Sequence, residues 1–289
     1  MSHFSVSSSE FPHLQQELVK AVKNEDIPLI EELLDLGAQI NHSSPACLHI
    51  MTGENMVDLM QYCLKWNGRR GIDLSEVPQS MLKNSVQSSS FEVALLLLKN
   101  HKSLGWQLDP STLLYVLKHA LISGHLTTVK FVCSSLSLPA PTSLFDLEES
   151  GESVYVLASY SNNVEVLSFV KASNECFISV DPNMDPLWQS IITENFISAS
   201  FWVNDYLNGG LDEKLCQMLT QACIFYHQNR LPLLHRVPQV WLKLDELMEG
   251  LPLPVQHELS LLLQEKNVDI SHMPRMQGVT LKRQLKEAL

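Results

Sequence analysis

Residues 18–41 read Leu18-Val-Lys-Ala-Val-Lys-Asn-Glu-Asp-Ile-Pro-Leu-Ile-Glu-Glu-Leu-Leu-Asp-Leu-Gly-Ala-Gln-Ile-Asn41. Leu18, Ala21 and Val22 fall at helical spacing and share one face of a first helix. Asn24-Glu25-Asp26 breaks that pattern. Pro28 then stands just inside a second apolar run, where a helix start tolerates proline because that position has no N–H partner to lose. Asp26 is placed to cap the second helix, and Glu31 and Glu32 lie near the positive end of its dipole. Ile27, Ile30, Leu33 and Leu34 form the apolar stripe. Gly37 supplies a stop where positive φ is wanted, and Ala38-Gln39-Ile40-Asn41 leaves as a short extended exit. A helix pair this small cannot bury its own apolar face, so it needs neighbours of the same kind.

The same shape recurs along the chain. The first apolar residue of each second helix is expected near Ile27, Met56, Phe91, Leu126, Val164, Phe196 and Leu231, in steps of about 29 to 38 residues. The exits give a second register of an apolar residue followed by Asn or Asp: Ile40-Asn41, Ile72-Asp73, Leu108-Asp109, Val180-Asp181 and Val268-Asp269. An eighth, partial unit is read from its end, with Leu259 to Leu263 as its helix and Asn267 standing where Gly37 stands in the first.

Asp26-Ile27, Leu33-Leu34 and Gly37-Ala38-Gln39-Ile40-Asn41 resemble an ankyrin repeat. Pro45-Ala46-Cys47-Leu48-His49 echoes the Thr-Pro-Leu-His start of that family, and Ser123-Gly124-His125 keeps its Gly-His turn. The resemblance implies an all-α fold, a helix-pair solenoid of about seven or eight degenerate repeats. The alternative is another α-solenoid of TPR or HEAT type, which has longer helices and no extended exits. The expected organisation is a mobile leader at 1–13, a solenoid at 14–270 that is more regular over 14–140 and irregular over 141–270, and a C-terminal capping helix at 271–289.

Composition bounds the function. Apolar residues make up 45% of the 289, which suits a folded chain, and a net charge of −12 argues against general nucleic-acid binding. The serine-rich start has no basic patch followed by an apolar run, so no secretory signal is read. The longest apolar run, Val93 to Leu98, is far too short to span a bilayer, so no membrane insertion is expected. Six cysteines at 47, 63, 133, 176, 216 and 223 form no Cys-x-x-Cys pair and read as buried thiols of a reducing compartment. A cytoplasmic monomer follows.

No catalytic, cofactor or metal motif stands out. None of the eleven histidines belongs to a His-Glu-x-x-His pattern, and the resemblance implies that His49 and His125 bond the backbone of their turns. Gly68-Arg69-Arg70-Gly71 is too short for a phosphate loop and lacks its Lys-Ser/Thr. Tryptophan and arginine are common interface anchors. Trp66, Arg69, Arg70 and Trp106 lie between second helices and exits, and are therefore the candidate partner-binding residues; equally, each tryptophan could cover the edge of its own repeat. The acidic insert Asp146 to Glu152 is a further candidate surface, for a basic partner.

The resemblance implies noncatalytic protein–protein binding, through a concave face of first helices and exit loops, to a protein partner that the sequence does not name. Irregular ankyrin-like chains of this kind resemble effectors that intracellular bacteria deliver into host cells. Two other readings remain: an enzyme or covalent modifier on an irregular helical scaffold, and a homo-oligomeric positioning element.

Overall fold

The structure, a computed structural model, describes residues 11–40, 47–70, 72–74, 78–135, 153–172, 185–228, 237–268, 273 and 275–280. Among these the chain is all-helical, with one isolated bridge, Arg69 to Ile72, and no strand. It divides into two compact units, Met1–Pro139 and Ala140–Leu289.

The first unit holds α1 (Phe11–Lys23), α2 (Ile27–Asp35), α3 (Cys47–Gly53), α4 (Val57–Lys65), α5 (Pro78–Gln87), α6 (Phe91–Asn100), α7 (Pro110–Ser123) and α8 (Leu126–Ser135). α1 packs on α2, α3 on α4, α5 on α6 and α7 on α8. Across pairs, first helices meet first helices in the order α1, α3, α5, α7, and α4 meets α6, which meets α8. The apolar stripe read from the first pair is the one buried: Leu18, Ala21, Val22, Ile30, Leu33 and Leu34 are all less than a tenth exposed. Asp26 caps α2 by accepting from the Leu29 amide at 3.2 Å. Helix α1 begins at Phe11, inside the stretch expected to be leader. Its Gln15 amide pairs with both backbone groups of Gln39, donating at 2.6 Å and accepting at 3.2 Å, and so holds the exit segment against the first helix.

The second unit holds α9 (Val154–Tyr160), α10 (Val164–Ala172), α11 (Pro186–Ile192), α12 (Phe196–Asn208), α13 (Asp212–Gln228), α14 (Val237–Glu249) and α15 (Leu253–Glu265), with a helical segment at 275–280. Here α9 packs on α10, α11 on α12, and α9, α11, α13 and α15 follow one another. The expected capping helix falls partly on this last segment, and residues 281–289 lie outside the described residues, as do Val180-Asp181 and the acidic insert up to Glu152. Helix α14 is described from Val237, and the helix start expected near Leu231 lies outside the described residues.

Two turns alternate. Among the described second helices, α2, α6 and α12 are followed by glycines with positive φ, Gly37 (+102°), Gly105 (+72°) and Gly210 (+67°). First helices end on Glu25, Asn55, Ser89, Asn162 and Glu194 at φ of 52° to 62°, with Gly124 the one glycine among them. After five of the six the next residue reaches back five positions: Asp26 N to Ala21 O, Met56 N to Met51 O, Ser90 N to Ser85 O, His125 N to Ala120 O and Asn195 N to Ser190 O, all between 2.7 and 3.0 Å, while after Asn162 the Asn163 amide donates to Ser161 Oγ at 3.1 Å. Asn267 is also left-handed, at φ +52°, and Val268 N reaches back to Leu263 O at 2.9 Å, as Ala38 N does to Leu33 O after Gly37; the exit expected at Val268-Asp269 falls partly outside the described residues.

Asparagine in the left-handed position has a second task. The Asn55 side-chain oxygen accepts from Val93 N at 3.3 Å, and that of Asn162 accepts from Ser198 N at 3.2 Å. Each satisfies an otherwise orphaned amide in the first turn of the next pair's second helix. Ser90 and Asn195, one residue after the left-handed position, reach the other way, to Gly53 O at 3.1 Å and to Ser159 O at 3.3 Å. The turn is therefore fastened to the pair before it and the pair after it.

These two roles separate by mutation. At Ser89 no fastening bond is lost, so Ser89→Gly relieves left-handed strain and should stabilise by about 0.5 kcal/mol. Asn162→Gly loses its bond to Ser198 and should destabilise by about 1 kcal/mol. Urea denaturation of the two variants checks the sign difference.

Candidate interaction site around Arg70

Trp66 follows the last turn of α4 as its C-cap. The chain then closes on itself: Gly68 N donates to Ile72 O at 2.8 Å and Ile72 N to Arg69 O at 3.0 Å, with positive φ at Gly68 (+76°) and Arg70 (+51°). The chain thus turns tightly after α4, braced by Asn67, whose side-chain oxygen accepts from Leu74 N at 2.8 Å.

The turn carries Arg70 back over its own helix. Its guanidinium carbon lies 4.5 Å from the Trp66 ring centroid, and its nitrogens approach Glu31 at 3.6 Å and Asp35 at 3.5 Å. Tyr62, one turn before Trp66, sits 6.5 Å from it, ring to ring. Glu31 and Asp35 are four apart on α2 and so face the same way. Each ion pair is partly exposed and contributes little alone. Together with the cation–π contact they fix the arginine between the second helices of two successive pairs. The turn brings together Trp66 and Arg70, with Trp66 half-buried and Arg69 exposed beside them. The acids Glu31 and Asp35 complete the cluster. Their i, i+4 spacing is visible in the sequence, but their meeting with a residue 35 positions downstream is not.

Trp106, grouped with Trp66 as an exposed aromatic, is instead buried at 5% exposure. Its indole N–H donates to Leu74 O at 2.7 Å, so it ties the exit after α4 to the exit after α6. This is the edge-covering role, and Trp106 offers a partner almost no surface.

The remaining chemical groups are spread out. His125 shares a hydrogen bond with Thr128 Oγ1 at 2.8 Å and stacks on Phe91 at 5.2 Å, while His49 is exposed. Among the described residues no group of three His, Cys, Asp or Glu side chains could hold a metal ion. Cys47, Cys63, Cys133, Cys216 and Cys223 are buried; Cys176 lies outside the described residues. Burial pushes the thiols of Cys47 and Cys133 up to about 11 and those of Cys63 and Cys216 to about 12, and Cys223 higher still.

The second unit has two open clefts. One, of about 430 Å³, is lined by Ser168, Lys171, Phe201, Asn204, Asp205 and Asn208. There Lys171 is the ion-pair partner of the buried Asp205. The other, of about 390 Å³, lies against Asn162, Glu194, Ile197, Lys243 and Glu246. Neither cleft is lined by a cysteine or a histidine. No helix among the described residues is long and apolar enough to cross a membrane. Compared with protein-family models, curated proteins and solved structures, the chain matches none.

Two measurements test this geometry. Trp106→Phe loses the bond to Leu74 O together with part of the buried indole, so it should cost at least about 1–2 kcal/mol in chemical denaturation, whereas Trp66→Phe should cost less than half of that. The raised thiols are protonated at neutral pH, and a thiolate is the reactive form. Iodoacetamide at pH 7 should therefore modify the five buried cysteines of the folded chain at least about a hundred times more slowly than after unfolding. Rapid labelling of any of the five in the folded state would show a reactive site.

Proposed function

We propose that the chain is an ankyrin-like stack that serves as a noncatalytic protein-binding module, and that its partner meets the first-helix face and the exit loops. The observation that carries this reading is the order of helix contacts. First helices follow first helices within each unit, so a row of polar and aromatic side chains is presented from successive pairs on one preformed surface. Affinity on such a surface comes from many modest contacts whose positions are fixed before binding. The turns support the ankyrin-like reading over longer-helix solenoids, because most of the described helices are short and α2, α6 and α12 are followed by positive-φ glycines.

The described cysteines are buried with raised thiols, which speaks against a cysteine nucleophile among them. Trp66 and Arg69 are the contact residues proposed in the first unit's loops. Arg70 contributes by holding Trp66 in place, since its charge is engaged by Glu31 and Asp35. A bacterial effector working in a host cytoplasm is one setting for such a module. It rests on the ankyrin-like resemblance alone.

Affinity capture with the purified chain tests the proposal. At least one protein should be retained by the wild type and depleted several-fold by Trp66→Ala/Arg69→Ala or by charge changes on the first-helix face. A set of captured proteins unchanged by variants of both surfaces would sink the reading.

A further inference from the structure

We infer that the first-helix face of the first unit is built to take an acidic peptide segment, with Lys83, Tyr115 and Lys118 on α5 and α7 as its centre. This rests on the protein-binding reading above and names the chemistry of the partner.

The charge distribution is the first observation. The chain carries a net charge of −12. Yet helices α1, α3, α5 and α7 together hold four lysines, Lys20, Lys23, Lys83 and Lys118, against one acid, Glu17. The second helices α2, α4, α6 and α8 hold five acids, Glu31, Glu32, Asp35, Asp58 and Glu92, against three lysines. Within the helices the charge is thus sorted by layer, with Lys20 paired to Glu17 and the Asp109 carboxylate at the start of α7 close to Lys83; the layer proposed to bind keeps a basic excess.

The second observation is local geometry. Lys83 Nζ lies 5.7 Å from the Tyr115 ring centroid, and the His119 ring lies 4.5 Å from the same ring. Gln87 donates its side-chain amide to the Tyr115 hydroxyl at 2.8 Å, so that hydroxyl acts as acceptor there and keeps its own proton to give. Lys83 is exposed, and Tyr115, Lys118 and His119 are half-buried. An ammonium and a phenol O–H from adjacent helices therefore stand side by side at the surface. Both are donors, and a carboxylate accepts from both. Burial and the neighbouring Lys118 hold His119 below the usual histidine range, so it faces the cluster as a neutral ring near pH 7.

An acidic peptide fits better than a nucleic acid. The Tyr115 ring is already engaged by Lys83 and His119, so it is not a bare platform for base stacking. A polyanion with a charge on every residue would also meet the repulsion of the whole chain, which a short peptide with spaced carboxylates largely escapes.

Fluorescence anisotropy with a labelled short peptide of alternating Glu and Gly tests the inference, beside its Gln counterpart and a short oligo-dT. The Glu peptide should bind and weaken as salt rises, and the Gln peptide should not bind. Lys83→Gln/Lys118→Gln should weaken binding by about ten-fold, and Tyr115→Phe by less. The charge-matched control Lys99→Gln/Lys130→Gln, on second helices, should leave binding unchanged. Thermal melts followed by circular dichroism should show all three variants folded. Equal loss in the control pair, equal binding of the Gln peptide, tighter binding of oligo-dT, or no binding of the Glu peptide would each overturn the inference. If the peptide fails while affinity capture still retains a partner that Lys83→Gln/Lys118→Gln does not release, the binding module stands and only its acidic partner falls. If capture fails as well, both fall.

Discussion

A helix seven to fourteen residues long exposes more apolar surface than it can hide, and the stack depends on how the first helix of each pair is made to stop and turn. The left-handed residue and the backbone bond reaching back five positions set the angle at which the second helix returns. The cost of placing Glu25, Ser89 or Glu194 in that conformation is on the order of 1 kcal/mol each. It is offset because the turn is also where neighbouring pairs are joined. Asn55 and Asn162 accept from the next pair's second helix, and Ser90 and Asn195 reach to carbonyls of the pair before. At Asn55 and Asn162 a glycine would turn as well and join nothing, which accounts for a hydrogen-bonding side chain there; at Ser89 and Glu194 the join is made by the next residue, so a glycine would keep it.

The turns also bear on what could be read in advance. Apolar spacing locates α2, α6, α8, α10 and α12 at their observed first residues, because a helix packed on one side must repeat its apolar positions. Glycine stops such as Gly37 are legible for a similar reason, since few residues tolerate that φ. The first-helix turns are not legible this way. Glu25, Asn55 and Ser89 share no side-chain type, and only their shared backbone conformation shows them to be equivalent. Asn267 shows the ambiguity: a left-handed asparagine fits either helix end, and the same five-back bond follows Gly37 and Asn55 alike.

For the candidate site, composition and position single out a loop but not what each residue does there. Trp66 and Trp106 have the same sequence setting. One is half-buried under an arginine, and the other is sealed with its N–H on Leu74 O. The difference arises from the exit of the neighbouring pair, more than thirty residues away, and no local pattern carries it. Arg70 makes a related point. An exposed arginine beside a tryptophan suggests a contact waiting for a partner. Here two acids from α2 already occupy it, so its charge works on the inside of the stack.

The second unit looks irregular in sequence because polar side chains buried in it do work that regular apolar packing does in the first. Asp185 caps α11 with one oxygen, and with the other accepts from the Tyr206 hydroxyl at 2.6 Å and pairs with Lys214 at 3.0 Å, joining three helices at one carboxylate. Trp202 donates to Ser159 Oγ at 2.7 Å, Tyr226 to Ile191 O at 2.8 Å, and Asp245 accepts from the amides of Arg275 and Met276. Each bond spans twenty or more residues, and each is buried or nearly so, where an unmet partner is expensive. Such ties constrain helix placement as strongly as an apolar stripe does, but each needs only one residue at each end. They leave no period behind, and a search for repeats weakens in the half of the chain where the helices still alternate.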